Sequence, residues 1–122
     1  MIIQHFRLFM KEMKLLVTSP FFLLLTIMGN GMIGLAGLVF YFIEKGINPN
    51  VNRYMDAVWW SFATATTTGY GDITPVSDAG KVLSILLMLM GMALFAMYTA
   101  LFAETILSSK NLFHQKKPRK TS

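Results

Sequence analysis

Apolar residues fall into two long blocks. No charged residue occurs from Leu15 to Ile43, and none from Val82 to Ala103. The part from Pro20 to Ile43 predicts a helix of about 36 Å, and Val82 to Ala103 one of about 33 Å. Each suffices for a hydrocarbon core of about 30 Å. A cleaved leader has a shorter apolar core, so the first block is expected to be a retained anchor. Ahead of it, Ile2, Phe6, Phe9, Met13 and Leu16 recur at helical spacing, with Gln4, Arg7, Lys11, Lys14 and Thr18 on the complementary face. That pattern predicts an amphipathic helix along the membrane interface over 1–19, because its charges are costly inside lipid. Ser19-Pro20 then turns the chain inward.

The connection between the blocks carries a third signal. Gly46-Ile47-Asn48-Pro49-Asn50 stops the first helix, giving a turret over 44–54. Residues 55–66, Met55 to Thr66, follow without a helix breaker and hold Ala57, Val58, Trp59, Trp60, Phe62 and Ala63. At about 12 residues this helix is too short to cross a bilayer and too apolar for an exposed loop. It is expected to enter the membrane and let the chain return. Non-helical backbone at that depth survives only against protein or along a water-filled path.

Composition narrows the class. Of the 122 residues, 54% are hydrophobic and 14% charged, too apolar a balance for a soluble domain of this size. Without cysteine, disulfide frameworks, thiolate catalysis and thiolate-zinc clusters are excluded. The net charge of +5 sits at the ends: Arg7, Lys11 and Lys14 at one, Lys110, Lys116, Lys117, Arg119 and Lys120 at the other. Glu44, Lys45, Arg53, Asp56, Asp72, Asp78 and Lys81 between the blocks sum to slightly negative. The positive-inside rule therefore predicts both termini in the cytoplasm and the connection outside. The basic ends suit anionic lipid, and no scaffold for reading bases accompanies them, so no nucleic acid is expected. No paired-carboxylate, Ser/His/Asp or phosphate-cradling pattern supports an enzyme, and no cofactor is expected.

Thr66-Thr67-Thr68-Gly69-Tyr70-Gly71-Asp72 follows the short helix. Here the chain resembles the potassium-channel family, whose filter reads Thr-Val-Gly-Tyr-Gly. The resemblance extends to Trp59-Trp60-Ser61, to Ile73-Thr74-Pro75-Val76 and to the two flanking blocks, which stand as outer and inner helices. It implies an all-α membrane protein of the two-transmembrane prokaryotic type: an outer helix (20–43), a re-entrant pore helix (55–66), a selectivity filter (67–72), an external loop (73–81), an inner helix (82–107) and a basic cytoplasmic tail (108–122). Such a chain is expected in a bacterial or archaeal plasma membrane. A potassium ion shedding its water needs rings of oxygen that converging backbones supply. By resemblance the carbonyls of Thr67, Thr68, Gly69 and Tyr70, with the Thr67 hydroxyl, bind K+, and Gly69 and Gly71 take angles that aim them. One chain brings one filter strand and cannot surround an ion, so a homotetramer is expected. Tyr70 is expected to pack outward with Trp59 and Trp60 as braces, and the resemblance implies that the Trp59 indole reaches the Asp72 carboxylate.

Two positions depart from the family pattern. Thr68 replaces the usual valine, keeping its branched shape but adding a hydroxyl that needs a partner behind the filter. Ala63 replaces the Glu that some bacterial members pair with the aspartate at position 72, so no filter gate built on a carboxylate pair is expected. The carbonyl end of the pore helix points partial negative charge at the membrane centre, which favours a cation there. Gly91 stands where the family has a hinge glycine, yet a glycine there equally serves close helix packing. Taking Gly91 as anchor, Phe95 and Thr99 would line the cavity and residues 100–107 the inner constriction, with Glu104 near its mouth or snorkelling to the interface. Gly31, Gly34 and Gly37 are expected to ease close packing of the outer helix, and Met88, Met90, Met92 and Met97 to fill gaps. His5 and His114 carry no pattern. A non-selective cation pore, a transporter subunit and an accessory protein are the other readings; each would be favoured by a broken filter motif, which is intact here.

Overall fold

The structure, a computed structural model, describes residues 1–116. The expected tail residues Lys117, Arg119 and Lys120 lie outside them. Four helices follow in order: α1 (Ile2–Val17), α2 (Pro20–Glu44), α3 (Tyr54–Ala65) and α4 (Asp78–Lys116). Both α2 and α4 hold stretches long and apolar enough to cross a membrane.

Each boundary has a local cause. At the end of α1 the Thr18 and Ser19 hydroxyls donate to the carbonyls of Lys14 and Leu16, both at 2.7 Å. Ser19 Oγ also accepts the Phe22 N–H at 3.3 Å, so one side chain closes α1 and caps α2, with Pro20 at the first helical position. α2 reaches Glu44, and Gly46 at φ 87° then reverses the chain. Asp56 fixes the start of α3: its Oδ2 accepts the N–H of Arg53 at 2.8 Å and of Asn52 at 3.1 Å. These bonds, that from Arg53 foremost, hold the Asp56 carboxyl below the usual carboxylate range.

The inner helix departs most from its expected limits of 82–107. It begins at Asp78, because the Ser77 hydroxyl accepts the Gly80 N–H at 2.9 Å and caps it, and it continues to Lys116. The charged residues Lys81 and Glu104 mark where the apolar block stops, which is not where the helix stops.

Contacts divide the molecule into two units, residues 26–96 and the remainder. In the remainder, α1 buries no residue; Ile2, Phe6, Met10 and Leu15 all lie open. Phe22 meets Tyr98 and Phe102 edge-on, with centroids 5.5 and 6.1 Å apart. In residues 26–96 a core of Ile33, Phe40, Val51, Ala57, Trp60, Ala65 and Leu87 joins parts of α2 and α4 to α3. Gly37 lets α3 lie against α2: a Cβ there would stand 3.0 Å from Ser61 Oγ and 3.2 Å from the Ala57 carbonyl. One turn further on, Phe40 and Trp60 stack at 3.5 Å. Among the described residues, nothing stands within 4 Å of a Cβ built at Gly31 or Gly34.

Candidate functional site: the strand that leaves α3

α3 ends where its last carbonyls find donors in the chain that follows. Thr66 N–H donates to the Phe62 carbonyl at 3.0 Å, Thr67 N–H to that of Thr64 at 3.1 Å, and Gly69 N–H to that of Ala63 at 3.0 Å. The last bond orients a peptide unit. In a trans peptide N–H and C=O point opposite ways, so with the Gly69 N–H turned to α3 the Thr68 carbonyl faces away from it.

Backbone angles extend the pattern. Thr67, Gly69 and Gly71 have φ of 61°, 55° and 80°, and the residues between them do not share that sign. In a regular strand successive carbonyls alternate sides. Inverting the hand at every second residue cancels that alternation and brings successive carbonyls to one side. Glycine accepts these angles freely, whereas Thr67, a β-branched residue, is held there at a cost of about 1–3 kcal/mol. Gly69 and Gly71 take the angles expected of them, and Thr67 adds a third left-handed position that its residue type does not announce.

Behind the strand, Trp59 Nε1 donates to Asp72 Oδ2 at 2.8 Å. The Trp59 ring stacks on that of Tyr70 at 5.3 Å with 10° between planes. Within the single chain the Trp60 ring stacks on Phe40 of α2, and Trp59 is the indole beside Tyr70. One residue apart on a helix, the two indoles face about 100° apart, so within one chain they meet different partners. The Thr68 hydroxyl lies 2.8 Å from that of Thr66. All of Thr67, Thr68, Gly69, Tyr70 and Gly71 are exposed in the single chain.

The return from the strand is anchored by residues to which sequence reasoning gave no role. Glu44, fully buried at the end of α2, accepts from Val76 N–H at 2.9 Å, Ser77 N–H at 3.0 Å, the Ser77 hydroxyl, and Asn48 Nδ2 at 2.8 Å. Asn48 Nδ2 also meets the Thr74 carbonyl at 2.8 Å. Gly80 leaves room for this carboxylate, since a Cβ there would overlap Glu44 Oε1 and displace it from its donors. A carboxylate four residues before an asparagine, with Ser77-Asp78-Ala79-Gly80 downstream, was the available signal.

Gly91 packs on the end of α3: a Cβ would overlap the Ala65 carbonyl oxygen and stand 2.7 Å from its carbon. Close packing is thus a sufficient reason for glycine at this position. Phe95, Thr99 and Glu104 are exposed on α4.

The sequence pattern of a family described as "Ion channel" matches residues 30–108, which take in α3, the strand and most of the two long helices. The chain belongs to the ion channel family. It is accordingly an integral membrane protein and not an enzyme. Over 51 residues this ion channel chain is 43% identical to a hyperpolarization-activated voltage-gated potassium channel of Methanocaldococcus jannaschii, covering 42% of the chain and 24% of the relative. Over 69 residues it is 41% identical to a cyclic nucleotide-gated potassium channel of Rhizobium etli, covering 56% of the chain and 19% of the relative. The chain therefore spans a quarter or less of the length of these relatives. Among solved structures, a voltage-gated K+ channel pore module in a closed state in lipid membranes is similar at 38% identity, covering 71% of this chain and 88% of that one, with a TM-score of 0.49.

Proposed function

We propose that the chain is the pore subunit of a potassium-selective channel, four copies of which enclose one filter. The observation that carries this is the alternation of left-handed backbone at Thr67, Gly69 and Gly71, with the Thr68 carbonyl turned away from α3. Four such strands around an axis would present stacked rings of oxygen from Thr67, Thr68, Gly69 and Tyr70, where K+ is the cargo and replaces its water with carbonyls. The two relatives are named for different stimuli but both as potassium channels, which agrees with this reading of the shared segment.

The exposure of the whole strand in one chain fits an assembly in which neighbouring copies complete the site. Both termini lie in the cytoplasm, with α1 along the interface and its open apolar residues in the acyl boundary, while its basic face meets anionic lipid. Gly91, Phe95, Thr99 and Glu104 belong to the conduction path of the inner helix, with Gly91 also serving contact with α3. No nucleic acid takes part.

The test is the reversal potential of the purified protein in a planar bilayer with potassium on one side and sodium on the other, repeated with Tyr70→Asp. A strongly potassium-directed potential that collapses in the variant is expected. A potential near zero with robust current would refute selectivity.

A further inference from the structure

The Thr68 hydroxyl, the chain's departure from the commoner valine, is tied into a directed relay. Thr66 Oγ1 stands 2.7 Å from the Phe62 carbonyl, 3.5 Å from that of Ala63 and 2.8 Å from Thr68 Oγ1. A carbonyl only accepts, so the single Thr66 proton goes to Phe62. The bond between the hydroxyls is then donated by Thr68, and Thr66 is its acceptor.

We infer that Thr66 is a positioning residue for ion selection: Thr68 donates to Thr66, Thr66 donates to the Phe62 carbonyl, and the relay fixes the peptide whose carbonyl forms the second ring of the filter. This rests on the filter reading above. The relay holds Thr68 from its side chain, while the bond from Gly69 N–H to the Ala63 carbonyl holds the other end of the same peptide unit. With both ends tied to α3, the Thr68 carbonyl resists rotation away from the axis. Valine at position 68 would fill the same space and leave only the second tether.

Proton direction gives the relay an asymmetry. Removing the acceptor strands a donor behind the filter, whereas removing donor and acceptor together strands nothing. Thr66→Val should therefore be worse than Thr68→Val, and adding Thr68→Val should rescue Thr66→Val.

The experiment is the potassium-over-sodium permeability ratio of the purified full chain in planar bilayers, from reversal potentials. Thr66→Val is expected to lower the ratio about tenfold and Thr68→Val roughly threefold, with the double variant close to Thr68→Val alone. Thr66→Ser keeps the hydroxyl of the positioning residue and should keep the native ratio, while Thr68→Ser, which keeps the donor, should lie above Thr68→Val. A double variant at the product of the single losses, or a Thr66→Val channel as selective as the native one, would overturn the relay. Lost packing alone gives no rescue, so the cycle separates positioning from bulk stability. Should Thr66→Val fail to assemble, Thr68→Ser against Thr68→Val decides, equal ratios being the overturning result. A native protein without preference for potassium defeats the filter reading and the relay with it. A selective native channel with additive variants defeats the relay alone.

Discussion

The packing of α3 on α2 and the strand from Thr67 to Gly71 are neighbours in the chain and opposite in kind. On the α2 side, Phe40, Ala57, Trp60 and Ser61 are buried within one chain, around a stacked aromatic pair and a glycine contact. On the strand side every residue is exposed, and Thr67 holds a backbone angle that threonine disfavours. A scaffold that completes itself can hold a strand that does not, and the strained geometry is imposed from outside it. Damage to the scaffold should therefore lower assembly and conduction together, whereas damage to the supports of the strand should alter ion selection in a channel that still assembles.

The largest effect is expected at Gly91. Valine there would drive its Cβ into the backbone of Ala65, which cannot yield as a side chain can. Overpacking of this sort costs about 3 kcal/mol or more. Gly91→Val should abolish the assembled species on native gels and potassium flux into liposomes together. A variant that assembles and conducts would show that α3 is less fixed than the comparison requires.

Glu44 joins the two regions, since its carboxylate sits on α2 and holds the loop returning from the strand. Glu44→Gln replaces one acceptor oxygen by an amide that faces donors, at a cost of about 2 kcal/mol. The expected result is a lower melting temperature of the assembly together with a shorter lifetime of conduction. A change in only one of the two would mean that Glu44 belongs wholly to one region.

Trp59→Phe acts on the strand alone. It retains an aromatic ring beside Tyr70 but removes the N–H that Asp72 accepts, a loss of about 1.5 kcal/mol for a hydrogen bond to a charged group. A melting temperature lowered far less than by Gly91→Val, with a severalfold loss of potassium-over-sodium permeability, is expected. Equal loss in Trp60→Phe would contradict the division of labour between the indoles, because Trp60 packs on Phe40.

The sequence made the scaffold more legible than the filter's supports, for physical reasons. Two uncharged blocks and one short apolar helix are signals spread over many residues, so the elements emerge, with ends that shift where Ser77 or Asp56 supplies a cap. The Trp59 bond to Asp72 followed from resemblance. The left-handed Thr67, the Thr66 partner of Thr68 and the four-donor site of Glu44 depend on single atoms meeting across turns. Glu44 in particular reads as the charge that ends an apolar block, and only folding shows it buried among donors. Gly91 was legible as important but not as packing rather than hinge, because both uses favour glycine.

The smallest expected effect lies at the outer edge of the scaffold. Asp56 accepts backbone N–H groups at the start of α3, and its carboxyl is held below the usual carboxylate range by them, Arg53 first. A carboxyl whose pKa is lower folded than unfolded contributes stability that is present above the unfolded value and lost as pH falls through the folded one. The loss should thus begin near the ordinary value of an unfolded aspartate and finish below it. Because the ion pair with Arg53 is solvent-exposed on the arginine side, it adds little. Melting of the purified assembly from pH 7 down to pH 3 should fall slightly less in Asp56→Asn than in the native protein, with ion selectivity at neutral pH unchanged. A selectivity change in Asp56→Asn would mean that the start of α3 reaches the strand at its other end, and the separation between a self-sufficient scaffold and a dependent filter would have to be given up.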